Sequence, residues 1–287
     1  MNLRQALANG TQVLRDFRIE SAELDAELLL AHAVSRPREH VYARDDLQLT
    51  ASQRKAYRQL LARRASHEPV AYLTGTREFY GLPLAVSRHV LIPRPETETL
   101  VELALATLQR TTAAKPRVVD VGTGSGAIAL ALAKHATHAR ITAVDVSAEA
   151  LALARRNALR LKLAQRVTFR RSDLLSHVRG PLHLACANLP YLTNQQIREL
   201  PDDVRGYEPR VALSGGPDGL FWYQLLLRQL PALAADNAVV LCEIGPNLKS
   251  GFERMVRHTL PEATLRFHDD LAGRTRVAEL ELGTLPV

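Results

Sequence analysis

From Met1 to about Ala65 the apolar positions recur at helical spacing. Leu3, Ala6, Leu7, Val13, Leu14 and Phe17 form one stripe, Leu24, Leu28 and Leu29 a second, and Ala56, Tyr57, Leu60 and Leu61 a third. Ser21 ahead of Ala22-Glu23-Leu24-Asp25 reads as an N-cap followed by acids that favour the positive end of the helix. Thr50-Ala51-Ser52-Gln53 has the form of a capping box. The pattern predicts a small helical bundle over residues 1–75. The stretch from His67 to Pro95 breaks the periodicity with Pro69, Gly75, Gly81, Pro83, Pro93 and Pro95, and holds short extended runs such as Leu82-Pro83-Leu84-Ala85-Val86. Residues 76–95 are therefore expected to form a connector containing a β-hairpin. Glu96 to Leu108 is helical again, with Leu100, Leu103, Ala104 and Leu108 aligned.

After Pro116 short apolar runs alternate with helical stripes. Strands are predicted at Arg117–Val121, Ile141–Asp145, Val167–Arg170, Leu182–Ala187, Ala238–Ile244, Thr264–His268 and Arg276–Leu282. A helix is predicted at Ala127–His135, and another, capped by Ser147, carries Leu151, Ala154, Ala158 and Leu161 on one face. Such alternation gives a mostly parallel, Rossmann-like α/β sheet covered on both sides. Only Asp269 to Thr275 separate the last two runs, too few residues for a crossover helix, so the last strand is expected to be antiparallel. Residues 96–287 form the expected α/β domain.

Composition narrows the class. The chain is 46% hydrophobic but only 5% aromatic, so its core must be built mainly from Leu, Ala and Val. Cys186 and Cys242 sit in apolar runs, without His at metal-ligand spacing, and read as buried free thiols in a reducing compartment with no zinc site. The opening residues lack the apolar segment of a signal peptide, and no apolar run is long enough to cross a membrane, which points to the cytoplasm. The net charge of +7 attracts nucleic acid or an acidic partner without choosing between them. The basic clusters, Arg54-Lys55-Arg58-Arg63-Arg64 and Arg155-Arg156-Arg160-Lys162-Arg166-Arg170-Arg171, read better as solvated helix faces than as binding sites.

Candidate chemistry gathers at the carboxyl ends of the predicted strands, where open α/β sheets bind ligands. Asp120-Val121-Gly122-Thr123-Gly124-Ser125-Gly126 ends the first strand. Glycines there let the backbone turn tightly and approach a ligand, and the helix that follows offers free N–H groups. Asp145 ends the second strand, where a carboxylate can accept from both ribose hydroxyls. Dinucleotide sites favour G-x-G-x-x-G facing a pyrophosphate. Here the spacing is G-x-G-x-G and Asp120 stands beside it, which suits a ligand bearing an ammonium group and favours S-adenosylmethionine over NAD. Asn188-Leu189-Pro190-Tyr191 ends the fourth strand, on the same rim.

With these motifs the chain resembles the methyltransferases that modify the glutamine side chain in the Gly-Gly-Gln motif of bacterial peptide chain release factors. The likeness runs through Glu68–Gly75, Arg77–Gly81, Leu91-Ile92-Pro93-Arg94-Pro95-Glu96-Thr97-Glu98, the glycine loop, Ser172-Asp173-Leu174 and the Asn188 motif. It continues through Glu208-Pro209-Arg210, Gly215–Gly219, Glu243-Ile244-Gly245 and Asp270-Leu271-Ala272-Gly273. The run from Ile92 to Glu98 is the most specific part.

The resemblance implies a seven-stranded methyltransferase sheet, S-adenosylmethionine as methyl donor with S-adenosylhomocysteine as product, and a helical N-terminal domain that helps dock the release factor. It implies cofactor contacts from Asp120, Gly122, Thr123, Gly124, Ser125, Gly126, Asp145, Asp173, Leu174 and Asn188. The Asn188 side-chain oxygen and the Leu189 carbonyl would accept the two amide N–H bonds, Pro190 would bias Leu189 toward an extended backbone, and Tyr191 would pack against the planar amide. The enzyme is expected to act as a monomer, with RNA contact possible but not required. One position departs from the usual family form, which has proline where this chain has Leu189. Asn-Leu-Pro-Tyr also resembles the motif of ribosomal RNA adenine dimethyltransferases, and adenine presents the same two N–H groups on a planar frame. Two alternatives to the glutamine reading stay open here: an adenine amino methyltransferase, and a binding module without turnover.

Overall fold

The computed structural model describes residues 1–283, so the last four residues of the expected α/β domain lie outside it. The chain divides into two compact units, one of Met1–Thr76 with Leu200–Tyr207, the other of Arg77–Glu199 with Glu208–Val287.

The first unit holds α1 (Leu3–Asp16), α2 (Ala22–Val34), α3 (Arg38–Ala43), α4 (Ala51–Ala65) and α5 (Val70–Thr74). Both α1 and α4 start with capping boxes, Asn2 with Gln5 and Thr50 with Gln53, which satisfy orphan N–H groups at the helix start. Ser21 stands at the N-cap of α2 but makes no side-chain cap, because its hydroxyl donates to Asp25 instead. The core is leucine-rich around one large aromatic, Tyr57, whose hydroxyl donates to the Ala26 carbonyl. Gly10, inside α1, makes room for that ring: a Cβ there would lie 1.9 Å from the Tyr57 hydroxyl oxygen. The buried Arg64 pairs with Asp25 at 2.7 Å and faces Asp203, from the inserted segment, at 3.8 Å.

The second unit begins with a hairpin, β1 (Thr76–Phe79) and β2 (Leu82–Ala85), turned by Tyr80 and Gly81, both at positive φ as a two-residue hairpin turn requires. Then follow α6 (Thr97–Arg110), β3 (Arg117–Val121), α7 (Ala127–His135), β4 (Arg140–Asp145), α8 (Ala148–Arg160), β5 (Val167–Arg171), β6 (Leu182–Ala187) and α9 (Asn194–Glu199). After α10 (Asp202–Tyr207), which belongs to the first unit, come α11 (Phe221–Gln229), β7 (Ala234–Glu243), α12 (Lys249–Thr259), β8 (Thr264–Asp269) and β9 (Thr275–Glu281).

The large sheet has seven strands in the order β5-β4-β3-β6-β7-β9-β8. Strands β3 to β7 are parallel, and β9 runs antiparallel between β7 and β8. Alternation assigns side chains to faces. Val118, Leu184, Cys186 and Leu241 pack under α6 and α7, while Val119, Val121, Ala185, Ala187 and Cys242 pack under α11 and α12. The same parity places Asp120, Asn188 and Glu243 on the α6–α7 face.

Candidate active site

The carboxyl ends of β3, β4, β5 and β6 surround one cleft of about 260 Å³ within the second unit. Its walls include Val121–Ser125, Val144–Ser147, Ser172–Leu174 and Asn188–Pro190, with His89–Leu91 and Arg94 ahead of α6 and Trp222 on α11.

The glycine loop is tied to β4. The Gly122 and Thr123 N–H groups both donate to the Val144 carbonyl at 2.9 Å, and Gly124 donates to Asp145 Oδ2 at 2.9 Å. Asp145 Oδ1 accepts from Ser147 N–H at 2.9 Å, and burial raises this carboxyl above the ordinary range. Gly122 has φ +72°, and a Cβ there would come within 3.1 Å of Leu189 Cδ2. The loop therefore touches the second motif directly, and glycine meets both conditions. From below, Asn157 on α8 donates to the Ser125 and Ala85 carbonyls and accepts from Ala85 N–H, joining the loop to β2.

Asp120 lies beneath the loop, fully buried, and is not one of the cleft walls. Its Oδ2 accepts from the Thr123 hydroxyl at 2.6 Å and from Ala129 N–H at 3.1 Å, so one of the N–H groups at the start of α7 is already used. Its Oδ1 is buried without a hydrogen-bond partner among the described residues. Burial pushes the carboxyl up to about 6. Asp173 is exposed on the cleft wall, and Leu174, buried, sits at φ +47°.

Asn188, Leu189 and Pro190 line the cleft; Tyr191 does not. The Tyr191 ring lies against Gly245, and its hydroxyl faces Glu243 and Arg276. Burial pushes this phenol up to about 12. Arg276 also pairs with Asp270 at 3.1 Å, so the Asp270–Gly273 turn supports the tyrosine. Asn188 Nδ2 donates to Thr97 Oγ1 at 3.1 Å, and Thr97 donates to Glu243 Oε2 at 2.6 Å. The buried Tyr223 hydroxyl lies 3.1 Å from the Leu189 carbonyl oxygen and also hydrogen-bonds to the Glu243 carbonyl. A carbonyl has two lone pairs, so that contact leaves Leu189 able to accept once more.

Thr97, Glu243, Tyr223 and Asn157 were not among the site residues expected from sequence. A signal existed for two of them. Glu243 is a lone acid ending an apolar strand, and Asn157 is a lone amide on the apolar face of α8; groups so buried need partners. The Ile92–Glu98 run meets the Glu208 motif at the cleft edge. Glu208 accepts from Ile92 N–H at 3.1 Å and pairs with Arg94. In the second basic cluster Arg155, Arg166 and Arg171 donate to main-chain carbonyls of Phe169, Thr137 and Val146, which gives these three a structural use.

A sheet of this order, with a glycine loop and an acid side by side at the ends of its first two parallel strands, defines a class I methyltransferase. Residues 97–200 match the methyltransferase small domain and residues 5–75 match the PrmC N-terminal domain. The fold is shared, at 17% identity, with the hMettl16 catalytic domain (TM-score 0.59, covering 79% of this chain and 84% of that one). A methyltransferase from Pyrococcus furiosus is likewise similar at 17% identity (TM-score 0.51, 71% of this chain and 90% of that one). Release factor glutamine methyltransferase from Rhodopirellula baltica is 38% identical over 94% of this chain and 93% of its own length. The Moorella thermoacetica protein of the same name is 39% identical over 96% and 97%. The chain belongs to the release factor glutamine methyltransferase family.

Proposed function

We propose that the protein methylates the side-chain amide nitrogen of the glutamine in the Gly-Gly-Gln motif of peptide chain release factors, using S-adenosylmethionine. When bound, S-adenosylmethionine supplies an electrophilic sulfonium methyl group and leaves as S-adenosylhomocysteine. The residues present fit it. Asp120, buried behind the glycine loop with Oδ1 unpartnered among the described residues, sets a carboxyl close behind the site where its charge favours an ammonium group. Asp145 retains lone pairs for ribose hydroxyls. Leu174 and Val146 offer apolar surface to adenine, and Asp173 offers an acceptor.

The single observation that carries the reading is the orientation of Asn188. Its Nδ2 is committed to Thr97, so its Oδ1 is the atom left to accept an N–H from a planar amide. The Leu189 carbonyl supplies the second acceptor. An amide nitrogen is a poor nucleophile because its lone pair is delocalised into the carbonyl. Two acceptors on its N–H bonds raise electron density on nitrogen and hold it in place for in-line attack. The nitrogen becomes acidic on taking the methyl group, so it sheds its proton to solvent without a dedicated base. Tyr191 serves from behind, steadying the loop instead of stacking on substrate.

The matched N-terminal domain favours glutamine over adenine as the acceptor, and we assign residues 1–75 the docking of the release factor. We assign the enzyme a cytoplasmic, monomeric state in which RNA contact is possible but not required. Among the described residues no helix is long and apolar enough to cross a membrane. The test is transfer of labelled methyl to a purified release factor, beside one whose Gly-Gly-Gln glutamine is changed. Label on the first alone supports the reading. Equal label on both, label on RNA only, or no transfer at all sinks it.

A further inference from the structure

Two residues that contact neither the glycine loop nor the second-motif backbone through their carboxyl or hydroxyl groups nevertheless decide how the motif faces the cleft. We infer that Thr97 and Glu243 are positioning residues that fix the orientation of the Asn188 amide, through the chain Asn188 Nδ2 to Thr97 Oγ1 to Glu243 Oε2. The inference rests on the role given above to Asn188.

The argument is a count of protons. Thr97 has one hydroxyl proton, and at 2.6 Å it goes to Glu243. A carboxylate only accepts, so that direction is forced. Toward Asn188 the threonine oxygen can then only accept, at 3.1 Å, and Asn188 must show it the NH2 group. An asparagine amide turned the other way would set its oxygen against an oxygen with no proton to give. The unused Oδ1 is thus locked toward substrate. Thr97 and Glu243 are 4% and 2% exposed, so the chain of hydrogen bonds is largely shielded from bulk water. Burial holds the Glu243 carboxyl near 7, so it is an acceptor-only group above neutral pH. The same residue also reaches the second acceptor: its main-chain carbonyl shares the Tyr223 hydroxyl with the carbonyl of Leu189. One strand end therefore anchors both oxygens proposed to grip the amide. This gives the Ile92–Glu98 run, otherwise a mark of family, a mechanical task through Thr97.

The test uses the full chain with Thr97→Val and Thr97→Ser. Valine keeps the shape and removes both hydrogen bonds; serine keeps them. Thr97→Val is expected to lower kcat roughly 10- to 100-fold, the scale of a misoriented catalytic group. KM for release factor and the affinity for S-adenosylhomocysteine stay at wild-type values, and Thr97→Ser restores kcat. A second readout needs no turnover. In ¹⁵N-labelled protein the Asn188 side-chain NH2, identified by its loss in Asn188→Ala, should show one proton protected from exchange in wild type and Thr97→Ser, and none in Thr97→Val. Wild-type kcat in Thr97→Val, equal damage in both variants, a parallel loss of cofactor affinity, or an unprotected Asn188 amide in wild type each overturns the inference. Should wild type transfer no methyl to release factor, the functional reading fails while the Asn188 signal still reports on the chain.

Discussion

Glu208 accepts the Ile92 N–H through Oε2 and the Arg94 guanidinium through Oε1, joining two motifs that lie 114 to 116 residues apart. Glu208 is 6% exposed while Arg94 faces the cleft, so the carboxylate fixes this part of the cleft wall. Glu208→Ala strands a buried main-chain donor, at a cost of about 1–3 kcal/mol. Urea denaturation should show that loss, and KM for release factor should rise more than kcat falls. An unchanged midpoint and unchanged KM would show that the pair positions nothing.

Asp145 and Asn188 should separate binding from chemistry. Asp145→Ala removes the acceptor for Gly124 and Ser147 N–H and any ribose contact. Calorimetry with S-adenosylhomocysteine is expected to show affinity lowered roughly 100-fold, two lost hydrogen bonds to a charged group. Asn188→Ala should bind with wild-type affinity and transfer no measurable methyl.

Gly122 and Leu189 are coupled through space. Gly122→Ala puts a Cβ 3.1 Å from Leu189 Cδ2 and holds an L-residue at φ +72°, the latter costing about 1–2 kcal/mol. Cofactor affinity should drop. Adding Leu189→Ala should recover the steric share and leave the backbone share, since alanine keeps the carbonyl proposed to accept from substrate. Strict additivity of the two changes in a double-mutant cycle would refute the contact.

Two buried carboxyls set the pH response. Burial raises Asp120 to about 6 and Glu243 to about 7, above their values in the unfolded chain. In the acid range the folded state therefore holds protons that the unfolded state has released. The stability these groups contribute is full below about pH 4 and is lost as pH rises through their folded values, on the order of 3 kcal/mol for Asp120. Asp120→Asn should gain on wild type as pH rises from about 4 to 6, read from urea midpoints across the range. Activity runs the other way. The groups facing Glu243 are Thr97, Glu96, Tyr191 and Arg276. As pH falls through about 7, Glu243 takes a proton, ceases to force the direction of the Thr97 hydroxyl, and kcat should decline. That limb should be absent from Thr97→Val.

Much of this was legible from local pattern. The parallel strands are apolar runs because both faces are covered, and the short link from Asp269 to Thr275 correctly signalled the antiparallel β9. β7 starts at Ala234, earlier than the apolar run at Ala238, because Asp236 and Asn237 break the pattern while Ala234 still pairs with Leu182. The glycine loop, Asp145 and the Asn188 motif were visible because each ends a strand on one rim. The pairing of Thr97 with Glu243 was not, since it spans 146 residues and needs the α6 start to lie over the end of β7. The resemblance placed Tyr191 against the planar substrate amide. Its ring lies against Gly245, outside the cleft lining, with the hydroxyl facing Glu243 and Arg276.

The membership of Leu200–Tyr207 in the first unit bears on how such a protein can be inherited. Asp203 faces Arg64, and the Tyr207 hydroxyl donates to the Ser66 carbonyl at 2.6 Å, so this eight-residue segment is part of the bundle's own structure. It is encoded after the strand that carries the Asn188 motif. A genetic exchange that swapped residues 1–76 alone would bring in a bundle whose closing helix had been written by a different parent. The helical unit therefore has part of its coding length inside that of the α/β unit, and an exchange that preserved it would have to carry both segments.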